Sequence, residues 1–307
     1  MNKTAQRALF HLFNCFAILL IVRIIEEFLL VGILGDTHSI IVCVFGIIFV
    51  FAYLRVKLKP IEKIGLIVTR HKITKGFVLA VLINVIPFVL INGFIYFYYK
   101  SLGCSVSPAV FFDTAARSRD AAGTSVFLMW LLFALAVAVL HAVFYEISFR
   151  GLLIHFGNYG LSYTKTNLLQ SGLYTLWFLI PLLKSITSTS KSNFIFLFVF
   201  FILYEFITAY KLGLCRFATG ALWLPIFDHL AFGYYCDCFR LQVSTAEGTL
   251  LNNQLDFRFL PLLIYQVVSF IIVFIYYLNK KSSLGLSTAS GVQSSGGKTK
   301  SKSKSKK

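Results

Sequence analysis

The chain has 307 residues, 58% of them hydrophobic and only 13% charged, with a mean hydropathy of +0.79. A water-soluble domain carries roughly 25% charged residues, so water cannot solvate this surface and a soluble globular protein is excluded. The net charge of +17 does not indicate nucleic-acid binding, because the basic residues sit between apolar blocks and in the tail rather than on a folded basic domain with aromatic platforms.

In chain order the apolar blocks are residues 8–34, 39–54, 76–98, 125–149, 167–183, 193–210, 217–235 and 259–278. Their lengths lie near the ~20 residues that a bilayer-spanning helix needs, the second, fifth and sixth being short for a full span. They are read as helices because an open sheet would leave backbone groups unpaired in lipid. The alternating segments of about ten residues that would build an outer-membrane barrel are absent. The expected fold is all-α, a polytopic helical integral membrane protein of about eight transmembrane helices, with one domain over residues 1–278. The first block is too long for a secretory signal and lacks a small-residue cleavage site, so it is expected to stay as a signal-anchor helix.

The basic residues are shared unequally between the connections. Of the 29 Lys and Arg, 21 fall at the N-terminus, in the 55–75 connector, after the fourth and sixth blocks and in the tail; seven fall in the alternate connections, and Arg23 lies inside the first block. By the positive-inside rule both termini are cytoplasmic, which fits an even number of spans. The 55–75 connector contains Ile61-Glu62-Lys63-Ile64-Gly65-Leu66, read as a short interfacial amphipathic stretch. Residues 279–307 form a basic Lys/Ser-rich tail with little to bury, expected to be disordered and to adhere to anionic lipid or act only in topology. Cys104, on the outward side, can bridge to Cys236 or Cys238 in an oxidising compartment or remain a free, small apolar side chain.

Ionisable side chains inside apolar blocks are costly and mark function. They are Arg23, Glu26 and Glu27 in the first block; His141, Glu146 and Arg150 in and after the fourth; Glu205 in the sixth; and Asp228 and His229 in the seventh. Arg23 and Glu27 share a helix face and can pair, as can Glu146 and Arg150. Glu205 has Tyr204 and Lys211 within local reach. A carboxylate from the fourth block and an imidazole from the seventh are sufficient for general acid–base work on a water in one pocket. Adjacent residues on a helix point ~100° apart, so Asp228 is expected not to share the face of His229.

The segment Glu146-Ile147-Ser148-Phe149-Arg150-Gly151-Leu152-Leu153 resembles the first motif, Glu-Glu-x-x-x-Arg, of the CPBP family. These intramembrane endopeptidases include the CAAX prenyl endopeptidases and the bacteriocin-processing and immunity (Abi) proteins. Residues 219–233, with Leu222-Trp223-Leu224-Pro225 leading to His229, resemble the family's last motif, His-x-x-x-Asn, and the 61–66 connector is similar to its loop before the third helix. The resemblance implies catalytic roles for Glu146, Arg150 and His229, with Tyr145 and Asp228 as auxiliaries. It implies no cofactor, and a peptide or protein substrate or partner near the cytoplasmic face of the lipid bilayer. A bound metal is not expected, since His141, Glu146, Asp228 and His229 offer few strong donors. Three family positions are replaced: the first glutamate by Tyr145, the histidine of the middle motif by Trp177 and the terminal asparagine by Gly233. Losing one such group typically costs about 10²–10⁴-fold in rate. The expectation is a degenerate homologue with weak or no proteolysis that acts on or binds membrane-presented peptides. The alternatives are an active, rewired protease using Glu146 and His229 with Asp228, and an unrelated membrane transporter, against which the lack of an internal repeat counts. The fourth and seventh blocks are expected to be neighbours, with Glu146, Arg150 and His229 lining one cavity and Glu146 within about 10 Å of His229.

Overall fold

A computed structural model describes residues 3–34, 38–57, 60–110, 124–185, 191–245, 248–250 and 255–283. The helices are α1 (Lys3–Ile25), continued by a π-helical turn (Glu26–Leu30) and Val31–Leu34; α2 (His38–Val56); α3 (Arg70–Ser101); and α4 (Thr124–Tyr145), continued by a π-helical stretch (Glu146–Leu153) and Ile154–Gly157. They are followed by α5 (Tyr163–Ser185), α6 (Lys191–Thr219), α7 (Trp223–Cys238) and α8 (Leu255–Ser283). Helix α8 thus runs past residue 278 to Ser283; the expected disorder of the tail from residue 284 onward falls outside the described residues.

Among the described residues six stretches are long and apolar enough to cross a membrane: Lys3–Leu30, Ser39–Val56, Arg70–Ser101, Leu132–Gly157, Phe198–Thr219 and Leu260–Ser283. They make the chain a helical membrane protein by length and composition. Large apolar side chains such as Phe94 and Phe97 of α3 are more than two-thirds exposed on the outside, the arrangement lipid tails solvate and water does not.

The fifth and seventh expected blocks are helices of a different character. Helix α5 carries Asn167, Gln170, Ser171 and Thr175, all buried. Gln170 Nε2 donates to the Ala209 carbonyl at 3.2 Å and Asn167 Nδ2 to the Tyr210 carbonyl at 3.1 Å, both on α6, while Ser171 and Thr175 donate to carbonyls of α5 itself, so none of the four is left to lipid. A Cβ on Gly213 would lie 1.7 Å from Asn167 Oδ1, which explains the glycine there. Helix α7 has only 16 residues. It is short because α6 ends at Thr219 and Gly220 takes φ 64°, a left-handed backbone that closes one helix before the next can begin.

Helix α7 packs on α3, α4 and α6. Its contact with α3 is close at Gly76, where a Cβ would meet the Trp223 backbone at 2.8 Å. The connector before α3 forms a single 3₁₀ turn (Ile61–Ile64) with Ile64 fully buried. Its hydrogen bonds tie it to α7. The Leu222 amide donates to the Gly65 carbonyl at 2.8 Å, and Trp223 Nε1 donates to the Ile67 carbonyl at 2.7 Å. The connector therefore braces the first turn of α7, satisfying groups that a helix N-terminus leaves open.

Three further details emerge. A three-stranded antiparallel sheet, Ser105–Val110 with Phe239–Thr245 with Gly248–Leu250, joins the α3–α4 and α7–α8 connections beside the helices, which make up most of the described residues, in keeping with the expected all-α fold. Hydropathy blocks carry no signal for such short pairing between connections. Of the two alternatives open for Cys104, the structure shows the free, buried thiol. Arg150, Lys211 and Arg216, counted as loop cations, are buried within helices; Arg216 Nη1 donates to the Gly151 carbonyl at 3.1 Å. The charge asymmetry rests on the other basic residues.

Candidate functional site

Glu146 opens the π-helical stretch at the end of α4, and Glu26 and Glu27 open the π-helical turn at the end of α1. Such turns interrupt the regular helical spacing and are found frequently at functional sites. Glu146 and Arg150 are both fully buried, and Arg150 Nη1 donates to Glu146 Oε1 at 3.1 Å. His229 Nδ1, 83 residues further on in α7, lies 2.9 Å from the same oxygen. The expected neighbourhood of the fourth and seventh blocks is therefore present, well inside the 10 Å limit. The contact engages Nδ1 of the ring, and Nε2 is the nitrogen that Glu146 leaves unengaged. Glu146 thus holds His229 in one orientation, the role a buried acid plays behind a catalytic imidazole.

The expectation that all three residues line one cavity is only partly met. A cavity of about 430 Å³ opens between α5, α6, α7 and α8, and its polar wall is Glu205, Thr208, Lys211, Asp228, His229 and Gln266. Glu146 and Arg150 lie behind His229, outside that wall. Any molecule in the cavity meets His229 first and reaches Glu146 only through it.

The two auxiliary residues separate. Tyr145 stacks on His229, ring planes 3° apart and centroids at 5.6 Å. Asp228 is turned away from Glu146, as the helical offset requires. Its Oδ2 lies 2.7 Å from Lys211 Nζ, and its Oδ1 accepts from Asn84 Nδ2 at 2.8 Å. Asn84 Oδ1 in turn accepts from the Tyr265 hydroxyl at 2.7 Å, and Lys211 Nζ donates to Ser269 Oγ at 3.1 Å. This buried network ties α3, α6, α7 and α8 together. Sequence reasoning missed Asn84, Tyr265 and Gln266, and placed Lys211 with Glu205 rather than Asp228. The available signal was uncharged polar residues inside apolar blocks, which in lipid find partners on other helices.

Trp177, at the middle-motif position, is buried with its ring 6.4 Å from Tyr145, edge to face. Arg23 pairs with Glu26 and, at 3.6 Å, with Glu27, and its guanidinium lies 5.8 Å from the Trp177 ring. Its side chain is mostly enclosed by the protein. His141 packs 6.1 Å from Tyr145. Glu205 is 6% exposed, and Lys211, one of its two expected partners, is engaged by Asp228 instead. Among the described residues no group of three His, Cys, Asp or Glu side chains comes together to hold a metal.

The Lys211–Asp228 pair yields a test. Lys211→Met is expected to destabilise the protein by about 3–5 kcal/mol, because it leaves Asp228 buried without its cation. Lys211→Met combined with Asp228→Leu is expected to recover most of that loss. Thermal melting of the purified variants reads both, and equal melting of the single and double variants would show that the two charges do not act as a pair.

No family model, curated protein or solved structure matches the chain.

Proposed function

We propose that the chain is a CPBP-type intramembrane endopeptidase homologue with a degenerate catalytic set, which binds membrane-presented peptides and cleaves them weakly or not at all. The observation that carries this reading is the meeting of Arg150 Nη1 and His229 Nδ1 on one oxygen of Glu146, at 3.1 and 2.9 Å. The two motifs that carry the resemblance thus supply the two ends of one buried contact. A carboxylate-oriented imidazole beside a cavity can move a proton to or from a water. It stands alone here: Tyr145 offers a phenol where the family has a carboxylate, and Trp177 an indole that only donates. Asp228 does not replace them, since its oxygens are committed to Lys211 and Asn84; this disfavours the rewired protease.

The test compares wild type with Glu146→Gln and His229→Ala on a panel of membrane-presented and prenylated peptides. The expected outcome is peptide binding with cleavage at or below the detection limit in all three. Robust wild-type cleavage that both substitutions abolish would sink the degenerate-site reading.

In this reading helices α5 and α7 join the six apolar stretches to make eight, and both ends face the cytoplasm. A cysteine placed in the 284–307 segment of the chain in sealed cells is expected to resist an impermeant thiol reagent until the cells are opened. Efficient labelling of intact cells would reverse the orientation.

A further inference from the structure

We infer that the cavity between α5, α6, α7 and α8 is a binding site for an organic ammonium ion, with Glu205 as its counter-ion. The inference does not depend on any proteolytic role for Glu146 and His229.

It starts from a count of charges. Lys211 in the cavity wall is neutralised by Asp228 at 2.7 Å. His229 is bonded to Glu146, whose own charge is balanced by Arg150. Glu205 is left over: it lies in the same wall, is more than nine-tenths buried, and forms no hydrogen bond or ion pair among the described residues. A carboxylate removed from water without a partner is costly; when the cavity is empty a proton relieves that cost, and a cation supplied from the cavity takes the proton's place.

The rest of the wall fits a cation rather than a neutral donor. Two aromatic pairs line it: Tyr174 with Phe178, ring centroids 4.8 Å apart, and Tyr204 with Phe232, 5.9 Å apart; Phe201 makes a fifth ring. Faces of aromatic rings attract an ammonium group within about 6 Å, most strongly when it is desolvated. A second unmet group is Gln266 Nε2, fully buried in the wall with no acceptor. The complementary molecule therefore carries one ammonium for Glu205 and the rings, and one hydroxyl or carbonyl oxygen for Gln266. The cavity's ≈ 430 Å³ lies within the ~300–1,000 Å³ of small-molecule sites. The ammonium belongs either to a free amine compound or to a lysine side chain of a bound membrane peptide.

The test uses the purified full chain in maltoside micelles, which are free of choline lipid. The probe is choline, which has both the ammonium and the hydroxyl. The control is neohexanol, its uncharged carbon isostere. Isothermal titration calorimetry is expected to show one choline site, with neohexanol weaker by at least about tenfold. Glu205→Gln is expected to weaken choline by at least about tenfold while melting at or above the wild-type temperature, because it removes an unpaired buried charge. Failure of choline to saturate, equal binding of the two probes by wild type, or undiminished choline binding by Glu205→Gln would each overturn the inference. The wild-type comparison needs no variant to fold. Two apolar helical peptides, one with a central lysine and one with norleucine there, separate the sources. Displacement of choline by the lysine peptide alone supports the site as a receptor for a peptide side chain. Choline binding that neither peptide displaces supports a site for a free amine.

Discussion

Replacing Arg150 by Ala is expected to lower stability by about 3–5 kcal/mol, with a matching loss of folded yield. Arg150 is fully buried, as is the carboxylate it holds. Its guanidinium lies 4.2 Å from the Tyr174 ring centroid, so the substitution removes a cation–π contact and stem packing as well as a charge. What remains is Glu146 with one oxygen on His229 and the other, Oε2, without a partner among the described residues. Such a carboxylate must stay ionised at high cost or take up a proton, and either outcome loosens the hold on His229. Arg150→Met with Glu146→Met is expected to regain much of the stability, since an apolar pair of similar volume often replaces a buried ion pair without loss. Melting curves of the three proteins decide the matter, and an unchanged melting temperature for Arg150→Ala would show that the pair contributes nothing to the fold.

Turnover on membrane-presented peptides is expected to rise by about 10²-fold or more over wild type when Tyr145→Glu, Trp177→His and Gly233→Asn are combined. Tyr145 already lies face to face with His229, and Trp177 lies edge-on to Tyr145 at 6.4 Å, so the first two changes place a carboxylate and an imidazole beside the existing one. A Cβ added at Gly233 meets no atom within 4 Å, and Gly233 belongs to the cavity wall, so asparagine enters without displacing its neighbours. Trp177→His is the costly member: it removes a large buried ring from the core around Phe144 and Phe149, and changes of that kind cost several kcal/mol, of order 3–5 for complete truncation to Ala. Melting temperature is therefore measured beside cleavage. Cleavage that then disappears on His229→Ala would tie the gain to this site. A folded, stable triple variant that binds peptides and still does not cut them would remove the peptidase ancestry from the proposal.

The candidate site was legible at the level of residue type and unevenly legible at the level of partners. Glu146 with Arg150 could be read from a spacing of four on one helix, and Glu146 with His229 from the scarcity of partners for lone charges in lipid. The same local reasoning offered Lys211 to Glu205 and failed there, because Lys211 points across the bundle to Asp228 in α7. Arg23 was matched to Glu27, whereas Glu26, three residues on, is bonded as well; the spacing rule allows both partners and does not choose between them.

The amino-acid sequence by itself determined that this protein belongs in a bilayer, which segments are helical and which charges must be buried, since hydropathy and the cost of charge in lipid are summed over neighbouring residues. Only the tertiary structure decided which charge neutralises which, that Glu146 stands behind His229 rather than in the cavity, and that Glu205 is left over. Those outcomes depend on the close approach of α3 and α7 at Gly76, on the break at Gly220 that sets where α7 begins, and on the directions in which side chains leave packed helices. None of these is a property of any one stretch of chain.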